Sequence, residues 1–173
     1  MLYLFMEIKT IVGHYGSNTF VINHLDKTII IDAGAKPVDL QKALGGKLPD
    51  AIFLTHEHFD HVYYIEEYKK LFDCPVYIPP SEDKIVIGGL VVKPILCPGH
   101  SPQSVVYLIE DILFTGDVLF SDTIGRTDFM PNGWELMQGS LRKLLDVKFK
   151  IAYHGHGEPS DYDEQIMNIQ SFL

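Results

Sequence analysis

The sequence predicts an α/β protein in which layers of β-strand are covered by helices. Three observations carry this reading. Short β-branched runs recur along the chain, each bounded by Gly, Pro, Asn or Asp. Four other stretches repeat apolar residues at helical spacing. The two kinds are interspersed, which implies strand layers covered by helices.

Taken in order, strands are expected at residues 9–12, 19–22, 28–31 and 51–54, then at 75–78, 91–93, 104–109 and 112–114. Glu110-Asp111, between the last two, reads as a tight hairpin turn. A helix over 38–44 is stopped by Gly45-Gly46. A second, over 62–72, puts Ile65, Tyr68 and Leu71 or Phe72 on one stripe. A third covers 134–145, with Trp134 expected in its core face, and a weaker fourth covers 162–172. The apolar start, residues 1–6, reads as a first strand or a ragged end, with Met6 an alternative initiator; it lacks a basic leader and a cleavage site.

At 173 residues, with no repeat or Pro/Ser-rich linker, the chain is expected to form one domain over 1–173. A hydrophobic content of 46% excludes a disordered chain. The formal charge of −9 argues against a nucleic-acid partner, which usually needs a basic face, and the expected partner is a small-molecule substrate. No stretch approaches the roughly 20 apolar residues of a membrane span. Cys74 and Cys97 form no framework, so a reducing, cytoplasmic location is expected.

The strongest chemical signal follows the strand at 51–54: Thr55-His56-Glu57-His58-Phe59-Asp60-His61. Strand side chains alternate, so His56 and His58 can face one side, and Asp60 and His61 can turn back toward a second ion. Imidazole suits zinc, iron and other late divalent metals, and a carboxylate adds anionic charge. A run of solvated surface polars is the bland alternative. It is poor here, because a hydrophobic strand leads in and a helix leads out.

Three further segments add donors. Cys97-Pro98-Gly99-His100-Ser101-Pro102 holds a histidine among turn formers. Leu113-Phe114-Thr115-Gly116-Asp117 ends an apolar strand on a carboxylate, and His154-Gly155-His156-Gly157 sets His156 between glycines after a short strand. Alone, each reads as a turn histidine, a strand cap or a surface loop.

Together they resemble the metallo-β-lactamase superfamily, whose five motifs occur here in order: Asp32 in Ile31-Asp32-Ala33-Gly34, the cluster 56–61, His100, Asp117 and His156. The resemblance implies an αββα sandwich, two β-sheets flanked by helices. It implies that His56, His58 and His100 bind one metal, that Asp60, His61 and His156 bind another, and that Asp117 bridges them. Asp32 then holds the histidine loop in place. The implied cofactor is a pair of divalent ions, zinc first, with iron or manganese as alternatives.

Within the superfamily, Gly125-Arg126-Thr127-Asp128-Phe129 looks like single-domain glyoxalase II-like hydrolases and also like persulfide dioxygenases. The first implies a thioesterase-type hydrolase with Asp60 orienting a water; the second, one iron on His56, His100 and Asp117. A non-catalytic binding protein of this fold is disfavoured, because all seven ligands are kept. Val62-Tyr63-Tyr64 stands where glycines are common, and Gln103 likewise. Seventeen residues follow His156, so the C-terminal region that classical glyoxalase II uses for glutathione is not expected. Arg126 and Lys143 are read as surface cations, Arg126 anchoring its loop through Asp122 or Asp128. His154 is read as structural and Cys97 as core.

Overall fold

The computed structural model describes residues 6–79 and 83–173, so residues 1–5 of the apolar start lie outside the described residues. The chain falls into two compact units. The first holds the chain up to Leu54, His58–Ile78 and Val86–Leu90; the second holds Thr55–Glu57, Pro79–Ile85 and Val91–Leu173.

The first unit is built on a mixed five-stranded sheet in the order β1 (Glu7–Val12), β2 (Asn18–His24), β3 (Lys27–Ile31), β4 (Ala51–Phe53), β5 (Val76–Tyr77). β1, β2 and β3 are antiparallel neighbours, while β4 is parallel to β3 and β5 to β4. Parallel pairs need crossovers, and helices supply them. They are α1 (Pro37–Leu44) between β3 and β4, then α2 (Phe59–Val62) and α3 (Ile65–Leu71) between β4 and β5. Gly45, left-handed at φ 59°, ends α1 where the glycine pair predicted it.

Leu40 and Leu44 of α1 and Tyr68 of α3 pack with Phe72 on Val21, Ile30 and Ile52. On α3 the stripe resolves in favour of Phe72, which is buried, whereas Leu71 is exposed. Each fully buried Ile or Leu contributes about 1.5–3 kcal/mol.

The helix expected over 62–72 differs in one respect. It starts earlier, at Phe59, and is broken at Tyr63-Tyr64. The cause is local: the Ala33 N–H donates to the His61 carbonyl at 2.6 Å, and the Tyr64 N–H donates to the Ala33 carbonyl at 2.9 Å. Two groups that would have continued the helical ladder are spent on the end of β3 instead.

The second sheet has six strands in the order β11 (Ser160–Asp161), β10 (Ile151–Tyr153), β9 (Ile112–Phe114), β8 (Val105–Ile109), β7 (Leu90–Leu96), β6 (Ile85–Ile87). β8 and β9 form the predicted hairpin, Ile109 opposite Ile112, with Glu110 at φ 54° in the turn. β9 and β10 are parallel, with α4 (Gly133–Leu145) in the crossover. α5 (Tyr162–Ser171) starts with a capping box in which Asp161 and Glu164 satisfy each other's backbone N–H. Met137, Leu141 and Leu144 of α4 and Ile169 of α5 close this core over Ile95, Val106, Leu113 and Ala152.

β7 runs past the expected stop at Pro94, which sits opposite Tyr107 of β8. Its other neighbour, β6, is only three residues long, so most of β7 is an edge that does not miss a proline N–H. Trp134 corrects the sequence reading: it is 41% exposed in the first turn of α4, and the core face begins at Met137. Among the described residues no helix is long and apolar enough to cross a membrane.

Candidate metal centre

In the second unit the ends of β9 and β10, the β7–β8 connection and the segment after β4 bring four predicted ligands together. Asp117 follows β9, His156 follows β10, His100 lies in the connection, and His56 lies in Thr55–Glu57. The connection is held by its own polar groups. Cys97 N–H donates to the Ser104 carbonyl at 2.8 Å, Ser101 N–H to Ser104 Oγ at 3.1 Å, and Ser140 Oγ–H on α4 to the Pro98 carbonyl at 2.7 Å.

His100 Nδ1–H donates to the Arg126 carbonyl at 3.0 Å, which leaves Nε2 as the lone-pair nitrogen. His56 Nδ1 lies 3.0 Å from Thr55 Oγ1, so this ring too is held from its Nδ1 side. His56 and His100 are 1% and 4% exposed. Gly125 permits the close approach behind them, since a Cβ there would lie 1.8 Å from the Asp117 carbonyl oxygen.

The Nε2 atoms of all three histidines face one oxygen. Asp117 Oδ2 lies 3.5 Å from His100 Nε2, 3.6 Å from His156 Nε2 and 4.0 Å from His56 Nε2. These separations are too long for good N–H···O hydrogen bonds, which span about 2.7–3.2 Å. They suit ligands of metal ions that have the Asp117 carboxylate in common: with metal–N and metal–O bonds of about 2.1 Å, two tetrahedral ligands of one ion stand about 3.4 Å apart and wider angles give more. Three imidazoles and a carboxylate on such spacing fit a divalent metal ion, and hard alkaline-earth ions would ask for more oxygen.

The first unit carries the remaining predicted residues. Asp32 follows β3, is fully buried, and adopts φ 62°, a conformation that Asp tolerates better than most residues. Its Oδ2 accepts from His61 Nδ1–H at 2.8 Å, which turns the His61 Nε2 lone pair outward. That Nε2 lies 3.6 Å from Asp60 Oδ2. Ser17 Oγ–H donates to the Asp60 carbonyl at 2.6 Å, and a Cβ on Gly34 would clash with both partners, at 2.2 and 2.4 Å. Asp32 therefore does what the resemblance implied, orienting His61. His58 occupies the position just before α2, makes no side-chain cap there, and is half-buried.

Other candidates are placed plainly. Arg126 pairs through Nε and Nη2 with Asp128 at 3.0 and 2.7 Å, and its guanidinium lies 4.5 Å from the Phe129 ring centroid. That guanidinium holds the Asp128 carboxyl below its ordinary pKa, and Asp122 is not its anchor. Lys143 Nζ donates to the Leu96 carbonyl at 2.5 Å. Cys97 is fully buried and burial pushes its thiol up to about 12. His14 and Tyr63 are exposed. Tyr15 packs edge-on to His14, Phe59 and Tyr63 at 4.6, 4.6 and 5.2 Å.

His154 is buried, with its ring nitrogens at 2.9 Å from Thr115 Oγ1 and 2.8 Å from Ser160 Oγ, as expected of a structural histidine. Two supports were not legible beforehand. The Thr55 hydroxyl gave only its adjacency to His56 as a signal. The Arg126 carbonyl gave none, because any residue carries that atom.

Comparison with known proteins agrees with this chemistry. The metallo-β-lactamase superfamily profile matches residues 12–91 and 81–156. The probable metallo-hydrolase YqgX of Bacillus subtilis (strain 168) is 29% identical over 188 residues, covering 87% of this chain and 89% of that one. A hydroxyacylglutathione hydrolase of Idiomarina loihiensis is 32% identical over 136 residues, which is 70% of this chain and 54% of that relative. The crystal structure of BLEG-1, a B3 metallo-β-lactamase, matches with a TM-score of 0.87 and 27% identity over 96% of this chain and 100% of that one. The fold expected from the sequence, two mixed β-sheets flanked by helices, is thus the fold of this chain, and all five motif segments lie inside the matched span. The chain belongs to the metallo-β-lactamase superfamily.

Proposed function

We propose that this protein is a metal-dependent hydrolase that uses two divalent ions, zinc first, to hydrolyse a small thioester or ester. In this reading His56, His58 and His100 hold one ion, Asp60, His61 and His156 the other, and Asp117 contributes to both. One observation carries it: a single carboxylate oxygen of Asp117 faces the Nε2 atoms of His56, His100 and His156 at 3.5–4.0 Å. His58, Asp60 and His61 join by continuity of the segment 56–61 and by the family's motif order. The similarity to a hydroxyacylglutathione hydrolase supports the thioester class.

When bound, the two ions would supply Lewis acidity and lower the pKa of a water from about 15.7 toward 7. Asp60, at the first turn of α2, would orient that water as ligand or hydrogen-bond acceptor. Asp32, through His61 Nδ1–H, keeps the imidazole in the tautomer whose Nε2 can ligate. The hydroxide oxygen would bond to the thioester carbonyl carbon as the C–S bond breaks, and the thiolate would leave without a proton donor because thiols ionise at about pH 8.5.

Metal content per chain, measured on protein purified without added metal, tests the site, and a panel of thioesters, esters and β-lactams tests the substrate. About two ions and thioester turnover are expected. A β-lactam turned over faster than any thioester would sink the substrate class. One iron per chain with persulfide-dependent oxygen uptake would replace the hydrolase by a mononuclear dioxygenase built on His56, His100 and Asp117.

A further inference from the structure

We propose that His154 is a positioning residue: it clamps the strand end that carries Asp117 to the strand end that carries His156, and so sets the approach of these two ligands. This rests on the dinuclear reading above.

The clamp has a backbone part and a side-chain part. β9 and β10 are parallel neighbours, and their pairing continues beyond the strands. Thr115 N–H donates to the Tyr153 carbonyl at 2.9 Å, and Gly155 N–H donates to the Gly116 carbonyl at 2.8 Å. The residues flanking His154 are thus bonded to the two residues before Asp117. The His154 ring fills the space between them at 1% exposure.

One tautomer of His154 satisfies all of its neighbours. With Thr115 Oγ–H donating to the Leu119 carbonyl at 2.8 Å, His154 Nδ1–H donates to Thr115 Oγ1 at 2.9 Å. His154 Nε2 then accepts from Ser160 Oγ–H at 2.8 Å. Ser160 Oγ accepts in turn from Gln165 Nε2–H at 2.9 Å, and the same Gln165 amide donates to the Phe120 carbonyl at 2.8 Å. A buried chain with each donor used is stiff, and its members polarise one another. It encloses the turn at Asp117 from Thr115 to Leu119 and reaches across to the loop after His156 through Ser160.

His56 and His100 reach Asp117 from other segments, Thr55–Glu57 and the β7–β8 connection. Of the three separations, that between Asp117 and His156, 3.6 Å, is the one whose two ends both lie on the clamped strand ends. Loosening the clamp therefore weakens the ion that needs His156 most, and the ion that needs His56 and His100 less, since that ion meets the clamp through Asp117 alone. Groups bonded directly to ligands are worth about 10–100-fold in metal affinity, and a clamp that acts one bond further out is expected at the lower end of that range.

The test is a zinc titration of the metal-free full chain against a chromophoric chelator, with far-UV circular dichroism on each sample. His154→Phe keeps a planar ring, somewhat larger than the imidazole, and removes both ring bonds. Thr115→Val severs the bond to His154 without changing the histidine, and Thr115→Ser restores the hydroxyl. We expect wild type and Thr115→Ser to bind two ions alike. Folded His154→Phe and Thr115→Val should bind one ion at least tenfold more weakly than wild type and the other with a clearly smaller loss. If His154→Phe does not fold, Thr115→Val alone decides. Both ions bound as in wild type, or both weakened equally, would overturn the positioning role while leaving the dinuclear site standing. A wild type that takes one ion would overturn the dinuclear reading, and this inference with it.

Discussion

Replacing Asp32 by Asn removes one charge from the support of His61 and changes little else. The backbone at this position is left-handed, φ 62°, and Asn is among the few residues that tolerate it, so the turn after β3 survives. The side-chain oxygen can still accept from His61 Nδ1–H, but as a neutral amide. Hydrogen bonds to charged groups contribute about 1.5–3 kcal/mol and neutral ones about 0.5–1.5, so the direct loss is about 1 kcal/mol. A flipped amide would place an N–H against Nδ1 and drive the proton to Nε2, the nitrogen that must ligate. Asp32 is fully buried, so water cannot replace the missing charge. We expect zinc affinity to fall by about 10–100-fold, or about 1.4–2.7 kcal/mol. Chelator competition on the metal-free protein measures it, and the melting temperature of the same metal-free sample shows that the fold is kept. An Asn variant that binds zinc within twofold of wild type, with unchanged turnover, would refute the claim that Asp32 acts through His61.

Four shorter predictions follow from the same geometry. His58→Ala should abolish turnover in a folded chain; near-native activity would remove His58 from the ligand set. Gly125→Ala forces a Cβ to within 1.8 Å of the Asp117 carbonyl and should lower metal affinity, whereas Gly139→Ala, with nothing within 4 Å, should be silent in the same titration. Stripping the metals with a chelator should lower the melting temperature by about 5–10 °C. Ions present at 100 times their dissociation constant contribute about 2.7 kcal/mol, and each kcal/mol moves a chain of this size by about 2–4 °C; an unchanged melting temperature would count against tight binding to the folded state. Burial raises the Cys97 thiol from 9.0 to about 12, so its contribution to stability is complete below pH 9 and is lost as pH rises toward 12. The unfolded chain releases that proton first, so wild type should lose about 1 kcal/mol more than Cys97→Ala between pH 7 and 10 in denaturant melts.

How far the sequence carries depends on what each residue's role requires. The candidate ligands were legible because metal chemistry demands particular side chains: His56, His58, Asp60, His61, His100, Asp117 and His156 are proposed from donor type, spacing and the motif order of the family they resemble. The long strands and α4 were legible because their apolar periods repeat. β6 and β11 were not, since three and two residues carry no readable period. The break at Tyr63-Tyr64 was hidden too, because it comes from the backbone of Ala33, thirty positions earlier.

Trp134 shows the same division from the other side. Helical spacing allowed it onto the core face, but packing gave that face to Met137, Leu141 and Leu144. Tertiary structure likewise decided which atoms hold the ligands: Asp32 Oδ2 for His61 and the Arg126 carbonyl for His100. It also set His154 between Thr115 and Ser160. The sequence by itself determined the class of fold and the candidate donors of a metal site, because those follow from local pattern and side-chain chemistry. Only the folded chain decided how each donor is held, because that depends on backbone groups every residue carries and on neighbours up to tens of residues away.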